Sequence, residues 1–349
     1  MELGVFHECH RPRSYSETDA FDEIFAHAEA AERYGFDAIW LAEIHFSPTR
    51  SVLAAPLVIA SALAARTTRL KIGTAVHVLP LSNPLRTAEE AATVDHISHG
   101  RFEFGIGRSG IPTSYERFGV PYAESRDRML EHLEIILKAW TEDTFSYHGT
   151  YFSYENVSLI PKPYQQPHPP IRVAVNSPDT FALAGRKGWP IFVAVRLGSL
   201  EELIAPLGEY RAAWREAGHP GEGSVALRVP IFVAPTKEEA LALPRDSTMA
   251  FYRYLGERLV DSASSAGARA IEGRAERGAR LGAITYEEAQ RDKLAYGTPE
   301  AVIDRLQQLR ESLKLSGILA EMNCGHQVPN EHILSSMRLF MERVAPALR

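Results

Sequence analysis

An arginine set among glycines at the end of an apolar strand is chemistry for an anion, and residues 101–110, RFEFGIGRSG, have that form. Phe102, Phe104 and Ile106 alternate with Glu103 and Gly105, the period of two that a strand requires. Gly105, Gly107 and Gly110 let a ligand approach the backbone, and Arg108 adds a permanent charge at the same place. The spacing also fits the G-x-G-x-x-G turn of dinucleotide-binding domains. That fingerprint needs a helix directly after the turn, and Ile111-Pro112 is not expected to open one. The turn is therefore expected to hold a phosphate within another architecture. Arg126 begins the next helical pattern. Asn176, Ser177 and Thr180, in Asn-Ser-Pro-Asp-Thr, offer hydroxyls and free amides at a further helix N-terminus, where the helix dipole also favours an anion. Trp40, Leu41, Ile44, Val76, Ile106 and Val193 supply apolar surface beside these groups. A phosphate clamp next to a flat apolar slot suits FMN better than a sugar phosphate, which would want more polar neighbours.

Other reactive residue types cluster at strand ends: His7, Glu8, Cys9 and His10; Glu43 and His45; His77; Arg196; Asn323, Cys324 and His326. Consecutive strand residues face opposite ways, so at most two of residues 7–10 can converge, and no zinc-type spacing is present. No metal site is expected. A G-x-S-x-G nucleophile elbow is absent, and no lysine or carboxylate pair at a strand end supports an aldolase or isomerase.

The elements that must position these groups alternate along the chain. Strand patterns fall at 3–6, 38–42, 71–76, 101–106, 171–175, 191–194, 225–233 and 315–322. Helical patterns follow each, including 56–65, 83–97, 126–140, 180–187, 200–217 and 330–344. About eight βα units in one chain of 349 residues predict a single-domain (β/α)₈ barrel over 1–349. Two excursions interrupt the rhythm. An aromatic hairpin and Pro-rich run occupy about 145–170. The segment at about 261–283, rich in Ser, Ala, Gly and Arg, is expected to be a mobile lid or a poorly packed helix pair. In such barrels function sits at the C-terminal ends of the strands, where every candidate above falls.

The net charge of −6 disfavours nucleic acid or an anionic membrane as partner. No apolar run reaches the roughly 20 residues of a spanning helix, the N-terminus lacks signal-peptide character, and only Cys9 and Cys324 are present. A cytoplasmic location is expected. Small residues at Ala60, Ala62, Ala64, Ala88, Ala91 and Ala92 suggest a homodimer through the second and third helices.

The runs Gly35–Phe46 (GFDAIWLAEIHF), Lys71–Val76 (KIGTAV), Asp95–Gly110 (DHISHGRFEFGIGRSG) and Gly297–Glu300 (GTPE) resemble those of the bacterial luciferase-like flavin monooxygenases, in matching order over nearly the whole chain. The resemblance implies a TIM barrel that binds reduced FMN from a separate flavin reductase and uses O₂ on a small hydrophobic organic substrate. It carries the phosphate contacts onto Arg108, Arg126, Ser177 and Thr180. Asn176 stands where the family has a glutamate, and the resemblance makes Ala75-Val76 a cis peptide under the flavin. Luciferases carry Glu-His-His where this chain reads Glu43-Ile44-His45, and their reactive cysteine in the glycine turn is Gly107 here. Light emission is therefore not expected. Glu43, His45 and His77 are the candidate catalytic residues. The same fold also serves deazaflavin F420-dependent hydride transfer and catalytically silent flavin-binding proteins, which remain alternatives.

Overall fold

The computed structural model describes residues 1–11, 15–195, 199–264 and 273–349. Eight parallel strands, Glu2–His7, Ala38–Leu41, Lys71–Thr74, Phe102–Gly107, Ile171–Ala174, Ile191–Ala194, Val225–Val233 and Gly317–Glu321, pair in sequence order. The ring closes where the eighth strand pairs with the first, Leu3 opposite Ile318. This is the expected (β/α)₈ barrel. Local signals set many of its helix ends. Ser16 caps the helix Glu17–Tyr34 through a reciprocal capping box with Asp19, and Gly35 ends it at φ 96°. Asn83 caps Pro84–Ile97 by accepting from the amides of Leu85 and Arg86.

Inside the barrel, Trp40 fills the centre and meets Phe192 edge to face at 4.9 Å. Gly4 and Gly73 make its room, since a Cβ at either would stand 2.6 or 2.2 Å from the indole. Below this plug, at the N-terminal ends of the strands, Lys71 and Glu103 pair at 2.8 Å, and Arg172 lies 3.8 Å from Glu103. Above it lies the mouth.

Several expectations need correction. Ile111-Pro112 does open a helix, Pro112–Phe118, because proline suits the first helical position, where its missing N–H has no partner to lose. The dinucleotide reading fails instead on architecture, since the closed barrel leaves no open sheet. The third strand stops at Thr74 rather than Val76. The Ala75-Val76 peptide is cis, as the resemblance implies, and His77–Val78 then pairs with the end of the fourth strand. A short strand, Ala295–Gly297, joins the far end of the seventh strand, and the helices Tyr286–Asp292 and Pro299–Leu313 follow from it on either side.

The first excursion is the expected hairpin, Phe145–His148 against Ser153–Val157, and then an irregular run. Of the second, residues 265–272, Arg269 among them, lie outside the described residues. The described part is well packed. Helix Arg274–Gly282 lies on helix Arg245–Asp261 so closely that a Cβ on Gly278 would stand 2.8 Å from the Gly256 carbonyl. Few large apolar residues are needed where backbones touch. Of the alanines proposed for a dimer face, Ala60, Ala64, Ala88, Ala91 and Ala92 are buried within the chain itself. The large apolar residues that these helices leave exposed are Val58, at 67%, and Ile97, at 39%.

Candidate functional site

A cavity of ≈ 580 Å³ opens at the C-terminal ends of the strands. Arg108, Arg126, Asn176 and Thr180 line one end of it. They form a connected group. Arg108 reaches Ser125 Oγ at 3.4 Å, Arg126 lies 3.8 Å from Asp179, and Ser177 Oγ is 2.6 Å from Thr180 Oγ1. Ser177 is the N-cap of helix Pro178–Lys187 but makes no side-chain cap bond and does not line the cavity; its hydroxyl pairs with Thr180, which brings the helix start to the cavity wall. Two guanidinium groups and a helix N-terminus thus face one space, the donor set a phosphate monoester requires.

The adjoining slot is walled by Ala42, Ile44, Ala75, Val76, Ala174 and Phe192. Gly107 keeps it narrow, since a Cβ there would stand 2.7 Å from Val76 Cγ2. Of the apolar surface proposed from sequence, Ile44, Val76 and Val193 line the cavity. Trp40 instead plugs the barrel, and Leu41 and Ile106 belong to the core beneath the helices. A phosphate cradle joined to a thin apolar slot fits a flavin mononucleotide.

Glu43 lines the cavity, but His45 and His77 do not. Both stand behind it, His45 Nε2 at 2.7 Å from Oε1 and His77 Nδ1 at 2.8 Å from Oε2, while the Val78 amide donates to Oε2 at 3.0 Å. Burial alone would raise this carboxyl. The His77 charge, the hydrogen bonds from both imidazoles and the Val78 amide outweigh it and hold Glu43 at about 2. The three residues tie the second strand's end to the backbone that follows Ala75-Val76.

Of a charged group at the floor of the mouth, sequence reasoning named Glu8 and missed Arg50, Arg228 and Glu321. Glu8 accepts from Arg50 Nε at 2.9 Å and from Arg228 Nη2 at 2.9 Å, and Glu321 accepts from Arg228 Nε at 2.9 Å and Nη2 at 2.7 Å. The Arg228 guanidinium lies flat on Phe6, 3.6 Å from the ring centroid. Its only sequence signal was register. Arg228 shares the inward face of its strand with Ala226.

Beside this group is a buried imidazole chain. Among the described residues, His7, Glu23 and His27 bring ligand-type atoms within 4.8 Å of one another. The hydrogen bonds fix another use. His7 Nδ1 accepts from the Cys9 amide at 2.8 Å, so its Nε2 carries the proton and donates to His27 Nδ1 at 3.0 Å. His27 Nε2 in turn donates to Asn330 Oδ1 at 2.7 Å. No lone pair is left on His7 or His27 for a metal. Burial, which disfavours the imidazolium, pushes His27 down to about 4. His10 stacks on His326 at 4.8 Å, and His326 Nε2 lies 3.2 Å from Glu23. Asn323 and Cys324 serve turns, bonding Val328 and Ser247. Arg196 lies outside the described residues.

Fold and site together are those of a barrel with two arginines and a helix start at the wall of a cavity at the strand ends. The chain belongs to the luciferase-like monooxygenase family, whose model matches residues 1–314. It is 29% identical over 239 residues to the oxygenase component of the flavin-dependent trigonelline monooxygenase of Acinetobacter baylyi, covering 68% of this chain and 65% of that one. The chain spans about half to two thirds of the length of the first curated relatives it matches. Among solved structures, the oxygenating constituent of 3,6-diketocamphane monooxygenase from Pseudomonas putida, in complex with FMN, superimposes with a TM-score of 0.83 at 23% identity, over 99% of this chain and 98% of that one. An F420-dependent secondary alcohol dehydrogenase in complex with an F420-acetone adduct gives 0.76 at 20% identity over 100% of this chain and 99% of that one. At such identities these two likenesses establish the fold. No helix among the described residues is long and apolar enough to cross a membrane.

Proposed function

We propose that the protein is the oxygenase of a two-component system, taking reduced FMN from a flavin reductase and oxygenating a small organic substrate with O₂. The observation that carries this reading is the convergence of Arg108, Arg126 and the Ser177–Thr180 helix start on the end of an apolar slot. Arg108 and Arg126 neutralise the phosphate, and Asn176, Ser177 and Thr180 complete its hydrogen bonds. Ala75 and Val76 back the ring. Reduced FMN supplies the electrons that activate O₂. Glu43 stays ionised and, with His45 and His77, holds the backbone beneath the ring. The helices Arg245–Asp261 and Arg274–Gly282 shield the mouth from water, with Leu255, Leu259 and Arg277 facing the cavity. A homodimer seated on Val58 and its neighbours is part of the same reading, and light scattering at micromolar concentration checks it.

The reaction class is tested by supplying photoreduced FMN and ¹⁸O₂ with a panel of small apolar compounds. Label in the product, with no anaerobic turnover, is expected. Anaerobic turnover driven by reduced F420 would instead make the protein a hydride-transfer enzyme, and FMN binding with no product from any donor would make it a silent relative.

A further inference from the structure

We infer that Arg228 and Arg50 form an anchor for a substrate oxygen, so that the organic substrate carries a hydrogen-bond-accepting oxygen in addition to its apolar body. The inference rests on the oxygenase reading and names the substrate class of that same cavity. Both arginines line it. Each uses two corners of its guanidinium on carboxylates, Arg228 through Nε and Nη2 on Glu321 and Glu8, and Arg50 through Nε and Nη2 on Glu8. The third corner, Nη1, donates to no group among the described residues in either arginine. Nor is it among the enclosed polar atoms that lack a partner. It is therefore open to the cavity.

Around these donors the wall is apolar, with Phe6, Leu319 and Leu255 close by. Stability does not explain the arrangement. Buried ion pairs are often no better than well-packed hydrophobic residues of the same volume, because desolvation offsets the attraction. The carboxylates and the Phe6 face instead hold Arg228 in one orientation. A fixed donor in an apolar cavity discriminates strongly, since a ligand that lacks the acceptor strips water from the guanidinium and gives nothing back. The flanking carboxylates push Arg228 further above its usual pKa against the effect of burial, so it donates without giving up its proton. A ketone, an ester or a carboxylate provides the matching oxygen.

The probes are heptane, 2-heptanone and heptanoate, which share one chain and differ in the acceptor. Their binding is measured by calorimetry with FMN-loaded and with FMN-free protein. The wild type should bind 2-heptanone or heptanoate at least tenfold more tightly than heptane, and the stronger of the two tells a neutral oxygen from an anionic one. Arg228→Met should reduce that preference to less than threefold while changing FMN affinity less than twofold. Should Arg228→Met not fold, Arg50→Met, altered in the segment between the second strand and its helix, is expected to reduce the preference at least threefold. Equal binding of the three probes by the wild type, or an unchanged preference in the folded variant, overturns the anchor. Failure of FMN to bind at all overturns the oxygenase reading instead, because the probe preference of the FMN-free protein still reports on Arg228.

Discussion

Two sets of charged side chains lie inside the same barrel, separated by Trp40 and Phe192, and they are built differently. At the N-terminal ends of the strands, Lys71 is 46% exposed, Glu103 holds it at 2.8 Å, and Arg172 reaches Glu103 only at 3.8 Å, with its Nε enclosed and without a partner. At the C-terminal ends, Glu8, Arg50, Arg228 and Glu321 are all at most 10% exposed and are joined by close forked hydrogen bonds. In the lower set only Lys71 reaches water, while Glu103 and Arg172 are each 10% exposed and meet at no closer than 3.8 Å. The upper set keeps Glu8, Arg50 and Arg228 on the wall of a cavity that could have been lined with leucine, with Glu321 holding Arg228. Tight geometry at a desolvation cost marks the end of the barrel that is used.

The largest effect should come from breaking the upper set. Glu321→Leu leaves Arg228 short of a buried counter-charge and should cost about 3–5 kcal/mol, read as a lower denaturant midpoint. If Glu321→Leu costs no more than a change at the lower set, the contrast between the two ends is lost.

A smaller and pH-dependent loss is expected at Glu43. Its pKa in the folded protein is depressed to about 2 from an ordinary 4.5. Its contribution is therefore fully present above pH 4.5 and is lost as pH falls from there toward 2. Between pH 5 and pH 3 the wild type should lose about 2 kcal/mol more than Glu43→Gln. Parallel stability curves for the two proteins would place the Glu43 carboxylate outside the set of groups that matter.

The helical pair Arg245–Asp261 and Arg274–Gly282, which lines the cavity with Leu255, Leu259 and Arg277, sharpens the comparison. Gly278→Leu pushes a side chain against the Gly256 carbonyl and should cost about 1–3 kcal/mol by overpacking. It should also raise the share of reduced FMN oxidised to H₂O₂ without product, measured by peroxide assay. Unchanged coupling would reduce the helical pair to a surface feature. The smallest effect belongs to the lower set. Lys71→Met should shift stability by about 1 kcal/mol or less, since Lys71 is itself 46% exposed and Glu103 keeps Arg172 at 3.8 Å.

The barrel was legible because a period of two followed by a period of 3.6 recurs eight times, and local residues such as Ser16, Gly35 and Asn83 mark helix ends on their own. The meeting of Arg108, Arg126 and Thr180 at one cavity was legible for a related reason. Arg108, Arg126 and Thr180 each sit at an element boundary, Arg108 directly after Gly107, Arg126 in the first turn of its helix and Thr180 two residues after Pro178. The upper charged set was not. Glu8 meets Arg50 and Arg228 at 42 and 220 residues' separation, and Arg228 meets Glu321 at 93. Only closure of the barrel brings them together. The helix Pro112–Phe118 was missed because Ile111-Pro112 was read as a barrier, although proline starts helices as readily as it ends them. The described part of the 261–283 segment packs on Arg245–Asp261 through glycine backbone rather than large apolar side chains, which composition alone does not signal.

The central claim is that the cradle at Arg108 and Arg126 holds the phosphate of reduced FMN. The most direct test is anaerobic titration of the wild type and of Arg108→Ala with photoreduced FMN and with reduced riboflavin. A charge-assisted hydrogen bond of about 1.5–3 kcal/mol should make the wild type prefer reduced FMN at least tenfold, and Arg108→Ala should lose that preference while keeping its riboflavin affinity. Equal affinity of the wild type for the two ligands, or equal weakening of both in Arg108→Ala, would contradict the account.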